Sequence, residues 1–353
     1  MRRVFGWFVA VAALLAAACA AVFATLGSFN YSQSAKADFA GSCSPVAGIA
    51  GPEDLQIYPA KALAFISSLD RREGKGKAER GAIYAFSLDD PLAADAWRDR
   101  TGGIPEQFQP LGLHLYVEGE TRRLFVVNSA TDAVELFDVA ENGDLTHLES
   151  LAERRLTSPN DVVGVGPRAF YVTNDVDPGR DTLLGQLHFL IRAGSGRLLY
   201  FDGNIWRLAA DGLRFANGVG VSPSGERLYV AETSAAALRI YDRNPESGVL
   251  RWSRTAPMPA AIDNINVEYN GSLWMGALPK PLALPRYRLD EGAKAPSLVI
   301  RYDDIAGVAS PPSAVYADNG EEISGSTVAA KSGSTLLIGA LLEKKFLICH
   351  LPG

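Results

Sequence analysis

Five oxygen-bearing side chains recur at one phase of this 353-residue chain: Glu53, Asn160, Asn217 and the adjacent pair Asp263 and Asn264. Each opens a short, largely β-branched run. Two carboxylates and three amide carbonyls form a hard donor set that suits Ca²⁺, which takes about six to eight oxygens at flexible geometry. Neutral amides limit repulsion between ligands and leave the ion charge with which to act on a substrate. Zinc is disfavoured because the four histidines stand apart at 114, 147, 188 and 350, with no Cys/His ligand spacing. A single Asn or Asp at such a place would simply shape a turn, so the argument rests on recurrence in four repeats. Asp54 and Asp161 each follow a ligand candidate and alternate to the other side of the strand. They either cap local turns or bind a second, deeper Ca²⁺ with backbone carbonyls.

The elements that must position these residues repeat six times. Openings at Glu53-Asp54, Leu111-Gly112, Asn160-Asp161, Asn217-Gly218, Asp263-Asn264 and Gly325-Ser326 each precede an apolar run, a tight turn and a second apolar run. The period is roughly 45–63 residues, in the range of propeller blades. The runs are β-branched or aromatic and bounded by Gly, Pro or Asn, and no helical period of ten residues or more appears outside the N-terminus. Four strands per unit and six units make an all-β, six-bladed propeller over residues 43–353. Small residues such as Gly164, Gly218 and Gly220 suit its crowded centre. Residues 177–212 depart furthest from the repeat and read as an elaborated third blade near the channel mouth.

A net charge of −6 without a Lys/Arg block argues against a nucleic-acid partner. Arg2 and Arg3 precede an uncharged, Ala-rich stretch of about 22 residues, long enough to cross a bilayer. Residues 1–28 therefore read either as a cleaved export signal or as a retained membrane anchor, with 29–42 as a linker. Both readings place the rest of the chain outside the cytoplasm. In that setting Cys43 and Cys349 are either a disulfide or two buried thiols; their places before the first blade and in the last strand favour the disulfide.

These segments together resemble the paraoxonase/arylesterase family, calcium-dependent lactonases within the gluconolactonase-like and strictosidine synthase-like group of propellers. The similar runs include Gly51-Pro52-Glu53-Asp54-Leu55, Ser158-Pro159-Asn160-Asp161-Val162, Phe170-Tyr171-Val172-Thr173-Asn174-Asp175, Phe215-Ala216-Asn217-Gly218, Ile262-Asp263-Asn264-Ile265 and Gly325-Ser326-Thr327-Val328. The resemblance implies a catalytic calcium on Glu53, Asn160, Asn217, Asp263 and Asn264. It also implies a structural calcium on Asp54, Asp161 and a carbonyl near Leu113, the Cys43–Cys349 bridge, and small lactone or aryl-ester substrates. One departure stands out: the two positions of the family's histidine dyad read Leu111 and Ser129 here.

Without that dyad, water needs another base. Asp263 is the favoured candidate, Glu53 the second, and His114, three residues beyond the first dyad position, the third. No Gly-x-Ser-x-Gly elbow, phosphate-binding loop or dinucleotide fingerprint occurs. Two rivals stay open: a calcium-stabilised binding propeller without catalysis, and a metal-free condensing enzyme like strictosidine synthase.

Overall fold

Runs rich in Val, Ile, Leu, Phe and Tyr, broken every few residues by turn formers, fold as successive antiparallel hairpins because branched and aromatic side chains pack well on a pleated surface. The structure, a computed structural model, describes residues 20, 22, 24–31, 39–72, 80–91, 93, 96–305 and 308–352. The described residues form six antiparallel sheets, five of four strands and one of five. Their innermost strands are Pro52–Tyr58, Pro110–Glu118, Pro159–Gly164, Ala216–Val221, Ala261–Val267 and Ser326–Ser332, in blades 1 to 6. These strands adjoin one another in ring order, the sixth returning to the first. The molecule is a six-bladed β-propeller.

Ring closure uses both ends of the domain. The outer strand of blade 6 is Ser42–Ala47, which pairs with Lys345–His350 and sets Cys43 opposite Cys349. The two cysteines form a disulfide across 306 residues of chain. The core is not one mass but six wedges, each between neighbouring blades. Between blades 1 and 2, for example, Phe65, Ile83 and Ala85 meet Leu113, Leu124 and Phe137. Blades 6 and 1 close the circle through Val328, Leu337 and Phe346 against Leu55, Ile66 and Phe86.

Every innermost strand carries one surplus residue near its start. The pairing steps from Pro52 to Asp54 while its partner moves from Ser68 to Ser67. Equivalent irregularities lie between Pro110 and Leu113, Pro159 and Val162, Ala216 and Val219, Ile262 and Ile265, and Ser326 and Val328. A β-bulge of this kind re-aims side chains and interrupts ladder hydrogen bonds. Here it falls at the opening of all six repeats.

Two short helices interrupt the strands on the same side of the ring. Helix α1 (Leu183–Leu190), between the second and third strands of blade 3, begins at Thr182, whose Oγ1 accepts the Gly185 N–H at 2.9 Å. Helix α2 (Leu284–Leu289) occupies the same connection in blade 5. Thus residues 177–212 hold one helical insertion followed by two ordinary strands, Gly196–Phe201 and Trp206–Leu213. Phe29 stacks on Phe189 of α1 at 5.3 Å. The apolar stretch read as signal or anchor lies largely outside the described residues, and among those described no helix is long and apolar enough to cross a membrane.

Candidate metal centre and active site

The six bulges put the strand openings around the ring axis. Glu53 comes from blade 1, Asn160 and Asp161 from blade 3, Asn217 from blade 4, and Asp263 and Asn264 from blade 5. All are buried, Asp263 the most accessible at 7%. The bulge changes what a pair of consecutive residues can do. Glu53-Asp54, Asn160-Asp161 and Asp263-Asn264 do not simply alternate between sheet faces; both members of each pair lie among the axial groups.

The interrupted ladder is repaired by hydroxyls on the second strand. The Asp54 N–H donates to Ser67 Oγ at 3.0 Å, and the Asp161 N–H donates to Thr173 Oγ1 at 2.9 Å. Each aspartate then ties one blade to the next. Asp54 accepts the Leu55 N–H at 2.8 Å and the Leu113 N–H of blade 2 at 2.7 Å. Asp161 accepts the Val162 N–H and the Val219 N–H of blade 4, each at 2.7 Å. Leu113 therefore meets Asp54 through its amide nitrogen.

Close approach dictates the neighbouring glycines. A Cβ on Gly112 would stand 2.2 Å from Asp161 Oδ1, and one on Gly218 would stand 2.3 Å from the Asp263 carbonyl oxygen. Blade 2 thus has no room for a side chain at Gly112, and the other residue of its opening is apolar Leu111. Blade 6 contributes support instead: Thr327 Oγ1 donates to the Glu53 carbonyl at 2.7 Å.

The amide side chains are oriented by their N–H groups. Asn264 Nδ2 donates to both the carbonyl oxygen and Oε1 of Glu53, at 3.0 Å each. Asn160 Nδ2 donates to Asp175 Oδ2 at 3.3 Å, and the Asn217 amide lies beside Asp263 and eases the charge on its carboxylate. With nitrogens so engaged, the oxygens turn the other way. Oδ1 of Asn160, Asn217 and Asn264, and Oε2 of Glu53, are buried and accept no hydrogen bond. Buried acceptors are normally satisfied, at a cost of about 1–3 kcal/mol when they are not. Four such oxygens from four expected ligands fit a hard cation, and Asp263 supplies a second carboxylate. Among the described residues no three His, Cys, Asp or Glu side chains gather as a metal cluster; this donor set depends on amides.

Burial holds the axial acids above the usual carboxylate range. The rise is large for Asp54, where Asp161 and Glu53 add repulsion, and for Asp263, where Glu53 does. Asp161 is raised by the same burial, although its two backbone N–H donors oppose it. Burial raises Glu53 too, opposed most by the Arg71 charge, then by the Asn264 hydrogen bond and Arg180. Below the ring, Asp54, Gln56, His114, Asp161 and Asn266 line a cavity of about 40 Å³.

His114 lies in this lower layer. Its Nδ1 accepts the Gly164 N–H at 3.1 Å, and burial lowers its pKa to about 4. Ser129 Oγ donates to the Gln109 carbonyl at 3.0 Å. The other histidines are distant: His147 bonds Glu135, His188 Nδ1 faces the Asp177 carbonyl, and His350 ends the last strand.

Three site residues were not singled out by repeat phase. Asp175 ends the second strand of blade 3, fully buried, with Oδ2 paired to Arg180 Nε at 2.7 Å and Oδ1 unsatisfied. Arg180 reaches in from the loop before α1, and Arg71 from the loop after the second strand of blade 1. The run Thr173-Asn174-Asp175, polar at the end of an apolar strand, was the available clue for Asp175. The arginines lie in loops, where no periodicity marks them.

The family model for arylesterase matches residues 39–351. The human serum paraoxonase/arylesterase 1 is 32% identical over 324 residues, covering 88% of this chain and 89% of that protein. The human serum paraoxonase/arylesterase 2 is 30% identical, covering 88% of each. Among solved structures, a gluconolactonase from Xanthomonas campestris superposes with a TM-score of 0.54 at 17% identity, covering 88% of this chain and 90% of that one. At that identity it supports the fold alone. The chain belongs to the arylesterase family and is a carboxylic-ester hydrolase of the esterase/lactonase kind.

Proposed function

We propose that this protein hydrolyses lactones and aryl esters at the axial site, using a Ca²⁺ ion held by Glu53, Asn160, Asn217, Asp263 and Asn264. The observation that carries this reading is the set of buried, unsatisfied oxygens on Glu53, Asn160, Asn217 and Asn264. When bound, such an ion supplies Lewis-acid polarisation of the scissile carbonyl. The chain's own residues do the rest. Asn264 fixes the Glu53 carboxylate, Asn217 favours the charged form of Asp263, and Thr327 holds the Glu53 backbone from blade 6.

Asp263 is the proposed base that takes a proton from the attacking water. It is the most accessible of the ring carboxylates, and it serves as base through an oxygen that the ion leaves free. His114 fits this role poorly. A neutral imidazole has one acceptor nitrogen, and in His114 the Gly164 N–H already uses it. We place a second, structural Ca²⁺ at Asp54 and Asp161, whose buried carboxylates repel each other. The disulfide and the family's serum members support an exported protein.

A non-catalytic binding propeller would share the ion but hydrolyse nothing. The test is turnover of a panel of short and long lactones and phenyl acetate, with and without chelator. Hydrolysis abolished by chelation is the expected result; no turnover of any substrate by the calcium-loaded protein would overturn the hydrolase reading.

A further inference from the structure

Two guanidinium groups stand at the axial site on the side where blade 2 offers no polar side chain. Arg71 Nη1 donates to the Gly51 carbonyl at 3.0 Å and the Leu69 carbonyl at 3.4 Å, and Nη2 donates to the Pro110 carbonyl at 2.5 Å. It therefore bridges the entrances of the innermost strands of blades 1 and 2. Arg180 stays within blade 3: Nη2 donates to the Pro159 carbonyl at 2.5 Å and the Ser158 carbonyl at 3.2 Å, while Nε meets Ser158 Oγ and Asp175. The two cations are near enough to repel each other, Arg288 adds to the repulsion on Arg71, and Glu53 feels both Arg71 and Arg180.

Around Arg71 the charges do not balance within the protein, whereas Arg180 also feels the Asp132 carboxylate. Asp175 answers Arg180. Glu53 and Asp263 match the two charges of a divalent ion, so they are not left over for Arg71. Arg71 has five N–H donors, and among the described residues its acceptors are three carbonyl oxygens and no carboxylate. Arg180 Nη1 likewise has no acceptor among the described residues. Planar guanidinium edges of this kind are suited to carboxylates.

We infer that the site selects lactones or esters that carry a second, free carboxylate, which Arg71 and Arg180 hold while the scissile carbonyl lies over the axis. This rests on the hydrolase reading above and names its substrate class. A lactone of this kind would open, with the addition of one water, to a hydroxy-dicarboxylate; an ester would release its alcohol and its acid as separate products.

The test compares the calcium-loaded enzyme on two matched γ-lactones, one bearing a ring carboxylate and the other the corresponding carboxamide. The expected ratio of kcat/KM is at least about tenfold in favour of the carboxylate, the scale of one charged hydrogen-bond pair. Arg71→Gln should reduce that ratio at least about fivefold, whereas Arg251→Gln, on the exposed edge of blade 4, should leave it in place. Equal kcat/KM for the two lactones in the wild type, or an Arg71→Gln loss that is the same on both, would overturn the inference and leave the hydrolase reading intact. If neither lactone turns over, the hydrolase reading fails, and calorimetry with glutarate decides the present point. Glutarate binding by the wild type, weakened by high salt, supports it; no binding overturns it. Neither the wild-type preference nor the glutarate titration depends on a variant that folds.

Discussion

Asn264, on blade 5, donates through Nδ2 to both the carbonyl oxygen and the carboxylate Oε1 of Glu53, on blade 1, at 3.0 Å each. One amide thus spans the inner ring, past blade 6, and fixes a carboxylate whose other oxygen, Oε2, is buried without a partner. The same amide presents its own unsatisfied Oδ1. Replacing Asn264 with Ala removes one ligand oxygen and frees another to turn. Calcium affinity measured by calorimetry should fall by about tenfold to a hundredfold, the usual range for loss of a ligand-orienting partner. Wild-type affinity in Asn264→Ala would remove it from the metal centre.

Asp263 and His114 make opposite predictions as bases. Asp263→Asn should lower kcat by about a hundredfold or more at saturating calcium, in keeping with the loss of a general base. His114→Asn retains an oxygen that can accept the Gly164 N–H, so kcat/KM should stay within about threefold of wild type. Steady-state kinetics on one lactone, with calcium occupancy checked by calorimetry, separates them. A large loss in His114→Asn with calcium still bound would reverse the assignment.

Four of the five proposed calcium ligands were legible from type and phase because their openings recur, and Asn264 followed as the neighbour of Asp263. The ring architecture was legible for the same reason. The bulges were not: strand register is set by backbone pairing, and the extra residue at Glu53 or Asn217 leaves no mark on hydrophobic alternation. The roles of Ser67 and Thr173 become clear only once the bulge is known, since each accepts an N–H that the bulge leaves without its ladder partner. Arg71 and Arg180 reach the axis from loops, where sequence distance says nothing about direction. The insertion before Gly196 was visible in length and composition, but its helix is only eight residues long and too short to show a period.

The axial acids predict a pH dependence in calcium-free protein. Asp54, Asp161 and Asp263 titrate higher in the folded state than in the unfolded chain, where about 4 is usual. The folded state then binds more protons between those values, so stability is full below the unfolded pKa and declines as pH rises through the folded one. His114, lowered to about 4, acts in the opposite direction below about 6.5, one group against these three and Glu53. In chelator, the calorimetric Tm should therefore fall between about pH 5 and pH 7.5, and added calcium should flatten the slope. A chelated Tm that rises across that interval contradicts the account.

Ring closure predicts the effect of the disulfide. Cys43 and Cys349 close a span of 306 residues, and in the chain-entropy model such a cross-link contributes on the order of 5 kcal/mol. Cys349→Ser should lower Tm by roughly 10 °C, as should reduction of the wild type. Strand Ser42–Ala47 still has its backbone pairing, so the variant is expected to fold. An unchanged Tm would mean the pairing alone secures the closure.

The most direct test is lactone hydrolysis by chelated enzyme titrated back with calcium, in wild type and in Asn217→Ala. Asn217 carries one of the buried, unsatisfied oxygens and lies in a blade with no other proposed ligand. Activity should vanish on chelation, return saturably with calcium, and require at least about tenfold more calcium in the variant. Hydrolysis that survives chelation, or the same calcium dependence in both proteins, would contradict a catalytic ion on the propeller axis.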